Sequence, residues 1–416
     1  MEIRHWKKYI FYLCAGILLK ILYKYLTHFL PRVNEEELLC PTNAIISNTN
    51  NTTKKLILLW TPTFYGDAFQ LNNLNSIYKQ RICPYSQCEI TLNRSQLCLS
   101  SAVVFHLRDT FLNDLPPTRK RFQEQRYVLM NYEPPYFSPK IVARMNSFFN
   151  WTMTYRRDSD ILLDYVNWRN RSSLSQTTKT HYLNDRPSRI LWIASNCISD
   201  SRREDYIRRL SKIVPTTILG KCRHSLPFLS SSSCNGLSFI DCLKAFSRNH
   251  TYYFAFENSF CLDYVTEKYQ LQIHLKSMIP IIYDIKQHNN YNRLAIPNSY
   301  IDASQFESPE SLGEYLNNLT LLAIDAGKSK YDDYFQWTNQ YEAVSETLHY
   351  NCELCRKLHV DGQTTKIYSD IKKWFFENAN CYQWSDKHNQ SIKVPLRQTI
   401  RFTNRVMDDT LSIASV

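Results

Sequence analysis

The chain has 416 residues, 44% hydrophobic and 21% charged, with a formal net charge of +12. That is room for two domains of ordinary size and is not the composition of a disordered protein. Its 7 glycines all stand alone, and neither H-E-x-x-H nor G-x-S-x-G occurs, so the common glycine-rich phosphate loops, the zincins and the α/β-hydrolases are excluded, while the scattered positive charge reads as a solvated surface and not as a nucleic-acid footprint.

Taken in chain order, Arg4, Lys7 and Lys8 precede an apolar stretch from Tyr9 to Leu30. Lys20, Lys24 and His28 interrupt it, and Lys20 and Lys24 share one helical face from which long side chains snorkel. No small-residue exit site follows, so the stretch predicts a transmembrane signal anchor over residues 9–30 and not a cleaved signal peptide. Basic residues before the span place residues 1–8 in the cytosol and the bulk of the chain in the lumen. Residues 31–54 are polar and Asn/Thr-rich, which reads as a stem. Eight N-x-[ST] sequons follow, at Asn50, Asn51, Asn93, Asn150, Asn170, Asn249, Asn318 and Asn389. With 13 cysteines, several close together (Cys83 and Cys88, Cys222 and Cys234, Cys352 and Cys355), they point to an oxidising, glycosylating compartment.

Short apolar runs then predict strands at Lys55–Trp60, Ala102–Leu107 and Arg126–Asn131, and again at Arg189–Ser195, Thr216–Gly220, Thr251–Asn258 and Met278–Asp284. Ile207, Leu210 and Ile213 recur as one helical face, and Ser308-Pro309-Glu310 reads as the start of another helix. Strand–helix alternation in both halves predicts two α/β domains with parallel sheets, facing each other across a cleft. The polar segment Ser172–Pro187 places the boundary near residue 180, giving domains over 55–180 and 181–381, with residues 382–416 unassigned.

Four groups carry chemistry. Phe256-Glu257-Asn258-Ser259 and Asp263-Tyr264-Val265-Thr266-Glu267-Lys268 follow a strand and open a helix. There the helix dipole and Lys268 suit a phosphate, and Asn258 and Glu267 suit sugar hydroxyls; the alternative is a capped, salt-bridged helix end. Arg202 and Arg203 begin a helix at the equivalent place one unit earlier, as phosphate grips or as a solvated helix start. Glu133, in Asn131-Tyr132-Glu133-Pro134-Pro135, ends a strand on a proline-stiffened turn suited to a general base. Asp158-Ser159-Asp160 fits the metal-binding D-x-D of sugar-nucleotide enzymes, but the adjoining Arg156 and Arg157 favour a salt-bridged turn. Cys352-x-x-Cys355 lacks the second half of a zinc site and reads as disulfide-forming. One scheme joins Cys83 and Cys88 to Cys352 and Cys355, although connectivity is not legible in a sequence.

The donor-like segment 256–268, together with Val104–Asp109, Asn131–Pro134, Asn150–Asp160, Ser195-Asn196 with Arg203, Tyr331–Trp337 and the Cys352/Cys355 pair, resembles the α1,3/4-fucosyltransferases in order and spacing from Lys55 to Cys381. The resemblance implies a single-pass Golgi membrane protein with a stem and a luminal GT-B fold, two facing Rossmann-like domains. It implies transfer of L-fucose from GDP-β-L-fucose to the 3- or 4-hydroxyl of GlcNAc in a glycan acceptor, with inversion. The base falls on Glu133, the leaving-group cations on Arg203 and Lys268, and further donor contacts on Asn258, Tyr264 and Glu267. No metal is required in such enzymes, although Mn²⁺ often raises activity.

Four residues depart from the family pattern. Gln272, Ile273 and Ser277 stand where the Glu-Lys pair is usually followed by an Asn-Ala pair and then a small or aromatic residue, and Asp284 replaces a glycine after the next strand. They raise the alternative of a catalytically silent luminal glycan- or nucleotide-sugar-binding protein. A protein O-fucosyltransferase on the same scaffold is the other alternative.

Overall fold

The computed structural model describes residues 54–61, 75, 76, 78–80, 83–117, 121–173, 186–234, 236–325, 330–344, 349–362 and 366–393. The expected anchor at 9–30, nearly all of the stem, the sequons Asn50 and Asn51, and residues 394–416 lie outside the described residues. Among the described residues no helix is long and apolar enough to cross a membrane.

The first half is a six-stranded sheet. Its strands are β1 (Lys55–Leu59), β2 (Cys88–Thr91), β3 (Ala102–His106), β4 (Arg126–Asn131), β5 (Trp151–Thr154) and β6 (Ile161–Leu162). They lie in the order β2-β1-β3-β4-β5-β6, every neighbour parallel. Every residue of β3 and β4 is buried, as in a parallel sheet covered on both faces. The two faces alternate along the chain: Ile57, Val104 and Val128 point to one core, and Leu58, Phe105 and Leu129 to the other.

After β7 (Trp168–Asn170), the second half repeats the plan with β8 (Ile190–Ile193), β9 (Thr216–Leu219), β10 (Ser230–Ser231), β11 (Tyr252–Phe254), β12 (Ile279–Ile282) and β13 (Ile301–Asp302). Their order is β10-β9-β8-β11-β12-β13, again parallel throughout. Its helices are α1 (Arg203–Leu210), α2 (Phe239–Ser247), α3 (Glu267–Leu275), α4 (Asn290–Leu294), α5 (Pro309–Asp325) and α6 (Lys330–Asp333). Ile207 and Leu210 of α1 are buried in the core as the spacing predicts, and Ser308 accepts the Ser311 amide at 3.1 Å at the start of α5. All seven expected strands are present, β4 with the expected bounds and the other six with trimmed ends. The short strands β2, β5, β6, β10 and β13 escaped the sequence reading.

The domain assignment needs two corrections. The chain leaves the first half soon after β6: Val166 and Trp168 already pack in the second core, and β7 pairs antiparallel with β14 (Tyr341–Ala343). More consequentially, α7 (His349–Val360) returns to the first half, where Leu354, Cys355 and Leu358 cover one face of its sheet. Ile371, Phe375 and Phe376 then cover the opposite face. The apolar face that β1, β3 and β4 must bury is closed by residues about 270 positions away, which is why position in the chain misassigned this segment.

Two disulfides fix that return, Cys83–Cys352 and Cys88–Cys355. Cys261–Cys381 then leads the chain back to the second half. There the hairpin of β15 (Tyr382–Ser385) and β16 (Gln390–Lys393), left unassigned by sequence, docks on α1. The Trp384 amide donates to the Ser201 carbonyl at 2.9 Å, and its ring meets that of Tyr206 at 5.1 Å. Arg209 reaches Glu310 at 2.5 Å and Asp386 at 3.1 Å. Cys222 and Cys234, close in sequence, pair with Cys197 and Cys242 instead of each other.

Among the sequons, Asn93, Asn170, Asn249 and Asn318 are exposed. Asn389 sits at the hairpin tip, its amide donating to the Glu307 carbonyl. Asn150 is a correction: it is buried, accepts the Tyr127 amide at 2.8 Å and donates to the Lys366 carbonyl at 2.9 Å. The folded chain therefore does not offer its nitrogen to a glycan.

Candidate active site

Functional side chains in open α/β sheets gather at the carboxyl ends of the strands. In the second half, β11 runs into Phe256-Glu257-Asn258, and the chain re-enters the fold at α3 with Thr266 as N-cap. Glu257 was passed over by sequence reasoning and organises this turn. Its carboxylate accepts the Thr266 amide and hydroxyl at 2.8 and 2.9 Å and pairs with Lys268 Nζ at 3.1 Å. Lys268 also reaches Glu267 at 3.1 Å and donates to the Thr266 hydroxyl at 2.8 Å. Burial opposes the ammonium charge, but the two carboxylates overcome it and raise the Lys268 pKa. The same ion pair does not fully repay the burial of Glu257, whose pKa is raised. The Glu267 side chain is exposed at its tip; the atoms packed around it push its pKa up, but Lys268 more than offsets this and holds it below the ordinary value.

One strand away, β8 leads through Asn196 to α1. Arg203 is buried and donates from Nη1 to the Phe256 carbonyl at 2.9 Å and from Nη2 to the Asn196 carbonyl at 3.1 Å. It thereby ties the end of β8 to the end of β11, while its Nε has no protein partner. Arg202 is different: it is solvent-facing, takes a left-handed φ of 58° and pairs with Asp205 at 3.6 Å. Asn258 offers a second buried atom, Oδ1, without a protein partner. Buried polar atoms left unpaired at the ends of neighbouring strands mark a place for a polar ligand.

Asp200 lies in the same loop, its Oδ2 buried and unpartnered. Burial lifts its pKa to about 7, with Arg202 pulling it down and Glu204 pushing it up. Because the folded value lies above the unfolded one, its contribution to stability is fully present below about pH 4 and is lost as the pH rises to about 7. At about 1.4 kcal/mol per unit, the loss is a few kcal/mol. Asp200→Asn is therefore expected to flatten the fall in Tm between pH 5 and pH 8, read by thermal unfolding of the two proteins side by side. An identical fall in both would exclude Asp200 as its source.

From the first half comes Glu133, immediately beyond β4. The turn that carries it is pinned by Asn131, whose Nδ2 donates to the Glu133 carbonyl at 2.5 Å and to Ser138 Oγ at 2.8 Å. The Glu133 carboxylate accepts the Tyr264 hydroxyl at 3.4 Å and hydrogen-bonds the Asn258 side chain. Part of Glu133 stays accessible, but the atoms packed around it raise its pKa, against the pull of Lys268 and Arg108. The donor-like motif and the base candidate, far apart in sequence, thus meet across the two sheets. Tyr264 is buried edge-on against Tyr155, just after β5, at 4.8 Å and Tyr165, just after β6, at 6.3 Å.

Asp158 and Asp160 do not form a vacant carboxylate pair. Asp158 is held by Arg156 at 2.5 and 2.9 Å and by the Trp374 indole at 3.0 Å. Asp160 accepts from Thr152, Tyr368 and Lys366. The turn is salt-bridged as expected, and it lies against the donor-like motif: the Arg157 amide donates to Asp263 at 3.0 Å. Of the departures, Asp284 has a structural role carried by its side chain. Asp284 accepts the Asn290 and Tyr291 amides at 3.0 and 2.9 Å, and Asn290 in turn accepts the Asp263 amide. The Ser277 carbonyl accepts Arg186 at 2.6 Å. Gln272 is buried with its side-chain amide unpartnered.

The model of the fucosyltransferase N-terminal region matches residues 52–166, and that of glycosyltransferase family 10 (fucosyltransferase), C-terminal part, matches residues 183–374. Alpha-(1,3)-fucosyltransferase C of Drosophila melanogaster is 29% identical over 353 residues, covering 78% of each chain. The fly's glycoprotein 3-alpha-L-fucosyltransferase A is 28% identical over 311 residues, and the match spans 58% of that protein's length. The 3-galactosyl-N-acetylglucosaminide 4-alpha-L-fucosyltransferase FUT3 of Pan troglodytes is 30% identical over 325 residues, covering 77% of this chain and 80% of that one. A solved alpha1,3-fucosyltransferase with GDP aligns at a TM-score of 0.45 and 16% identity, over 76% of this chain and 92% of the other. Since the two matched regions take in both parallel sheets and the turns at their carboxyl ends, the chain belongs to glycosyltransferase family 10, the fucosyltransferases.

Proposed function

We propose that the chain transfers L-fucose from GDP-β-L-fucose to the 3-hydroxyl of a GlcNAc unit in a glycoprotein glycan, with inversion at the anomeric carbon. The observation that carries this reading is the meeting of Glu133 with Tyr264 and Asn258 across the two halves. The Glu133 carboxylate takes the acceptor's hydroxyl proton as its oxygen attacks fucose C1 and the bond to GDP breaks on the opposite side. Lys268 and Arg203 counter the charge that develops on the diphosphate. Asn258, Tyr264 and Glu267 contact the ribose, diphosphate or fucose, the donor satisfying the buried Asn258 Oδ1 and Arg203 Nε. No metal is needed for these steps on this reading, and Mn²⁺ acts as a stimulant only. The protein sits in the Golgi membrane through residues 9–30, with its two sheets in the lumen.

The test is a transfer assay on the full chain with GDP-fucose and EDTA, against core N-glycans, N-acetyllactosamine glycans and glycan-free folded domains. Fucose on one glycan class is the expected outcome and names the acceptor. Fucose on a glycan-free domain would make it a protein O-fucosyltransferase instead. GDP binding without transfer to any of them would leave a silent nucleotide-sugar binder.

A further inference from the structure

We infer that Asp263 is a positioning residue for the transfer reaction, holding the base-bearing first half and the donor-bearing second half in register. The inference rests on the transfer reading above. It adds what keeps Glu133 at a fixed distance from a donor carried by the other sheet. Asp263 is buried in the loop between β11 and α3.

Three observations carry it. The first is that the Asp263 carboxylate spans the halves. Its Oδ2 accepts the Arg157 amide at 3.0 Å, in the turn between β5 and β6. Its Oδ1 accepts Nη2 of Arg293, in α4, at 2.6 Å. Each half thus holds one oxygen. The second is the backbone. Asp263 takes a left-handed φ of 63°, which is costly for a residue with a β-carbon and free for glycine. The loop is held there all the same. The Asp263 amide donates to Asn290 Oδ1 at 2.9 Å, Asn290 Nδ2 donates to the Cys261 carbonyl at 2.8 Å, and the Leu262 amide donates to the Ala379 carbonyl at 2.9 Å. A glycine would suit the bend better, so what the aspartate adds is its carboxylate. Strain held in place by its surroundings points to a role in function.

The third is the place. Asp263 immediately precedes Tyr264, whose hydroxyl donates to Glu133 at 3.4 Å. Arg157 follows Tyr155 by two residues, and the rings of Tyr155 and Tyr264 meet edge-on at 4.8 Å. The Asp263–Arg157 bond and this ring contact form one seam beside Glu133. Slippage along the seam moves the base against the donor, and a misplacement of about 1 Å can cost about a hundredfold in rate. The cations assigned to the diphosphate, Arg203 and Lys268, both belong to the second half. Slippage therefore leaves the grip on the nucleotide intact.

The test compares the full chain with its Asp263→Gly and Asp263→Asn variants. Glycine suits the bend and removes both oxygens. Asparagine tolerates the bend and keeps an oxygen for the Arg157 amide. Asp263→Gly is expected to lower kcat for fucose transfer at least about tenfold while GDP affinity changes less than about twofold. Amide hydrogen exchange, read by mass spectrometry on the peptide that carries Arg157, is expected to quicken in that variant. Asp263→Asn is expected to recover both kcat and protection. Unchanged kcat in Asp263→Gly overturns the inference, as does a loss of GDP affinity equal to the loss of kcat, or a failure of Asp263→Asn to recover. Absent transfer by the wild type would overturn the enzymatic reading instead. The exchange arm then decides whether Asp263 joins the halves: quicker exchange in Asp263→Gly keeps the bridge, and equal exchange removes it.

Discussion

Glu133→Gln is expected to lower fucose transfer by about a thousandfold while GDP affinity changes less than about twofold. The amide keeps the shape of the turn that Asn131 and Ser138 pin, and keeps a partner for the Tyr264 hydroxyl. What it loses is the capacity to accept a proton. Burial raises the pKa of Glu133, so the base is protonated up to a higher pH than an exposed glutamate. Activity should fall on the acid side with a midpoint above the ordinary carboxylate range, and the residual activity of the glutamine variant should lack that limb. The measurement is kcat/KM against pH for both proteins, with GDP binding by calorimetry. Lost GDP binding in the variant would move the base elsewhere.

The second large effect is at Lys268. Lys268→Ala removes a cation from the donor side and leaves Glu257 buried without its counter-charge. Breaking a buried pair from one side typically costs about 3–5 kcal/mol, so two losses are expected together: weaker GDP binding and a lower Tm. They separate in a double variant. Lys268→Met with Glu257→Gln removes both charges and should recover most of the Tm, because Thr266 still has an oxygen to donate to. It should not recover GDP affinity. Recovery of both would assign Lys268 to the fold alone, and unchanged affinity in Lys268→Ala would remove it from the donor site.

What was legible in the sequence was local. Arg126–Asn131 reads as a strand because an unbroken apolar run of that length suits the centre of a doubly covered sheet, and every residue in it is buried. Thr266 reads as a cap because its hydroxyl is where one is needed, and it accepts the Lys268 amide. What was not legible was long-range. Nothing around Phe375 signals that Leu58 is its partner, and near Leu354 the one hint of the return was the scheme joining Cys352 and Cys355 to Cys83 and Cys88. The hairpin at 382–393 carries no apolar run, and its reason for folding is Trp384 and Arg209 meeting across the chain. Glu257 looked like one more polar residue in a motif because its partners lie on the helix beyond the next turn. Asp284 looked like a lesion in the donor pocket because its role, holding two amides of α4, is set by residues that follow it.

The return of α7 to the first sheet has a consequence for how the protein is made. The ribosome delivers β1 to β6 first, but the lid for one face of that sheet arrives about 270 residues after Cys83 and Cys88. Until then the amino-terminal lobe is an open sandwich with two thiols waiting for partners not yet synthesised. The strands of the second lobe's parallel sheet emerge between those partners, but its Cys261 and the face of α1 wait in turn for Cys381 and the hairpin at 382–393. Assembly therefore runs out of step with translation: the amino-terminal lobe, although first out, cannot become covalently complete until nearly the whole chain has been made.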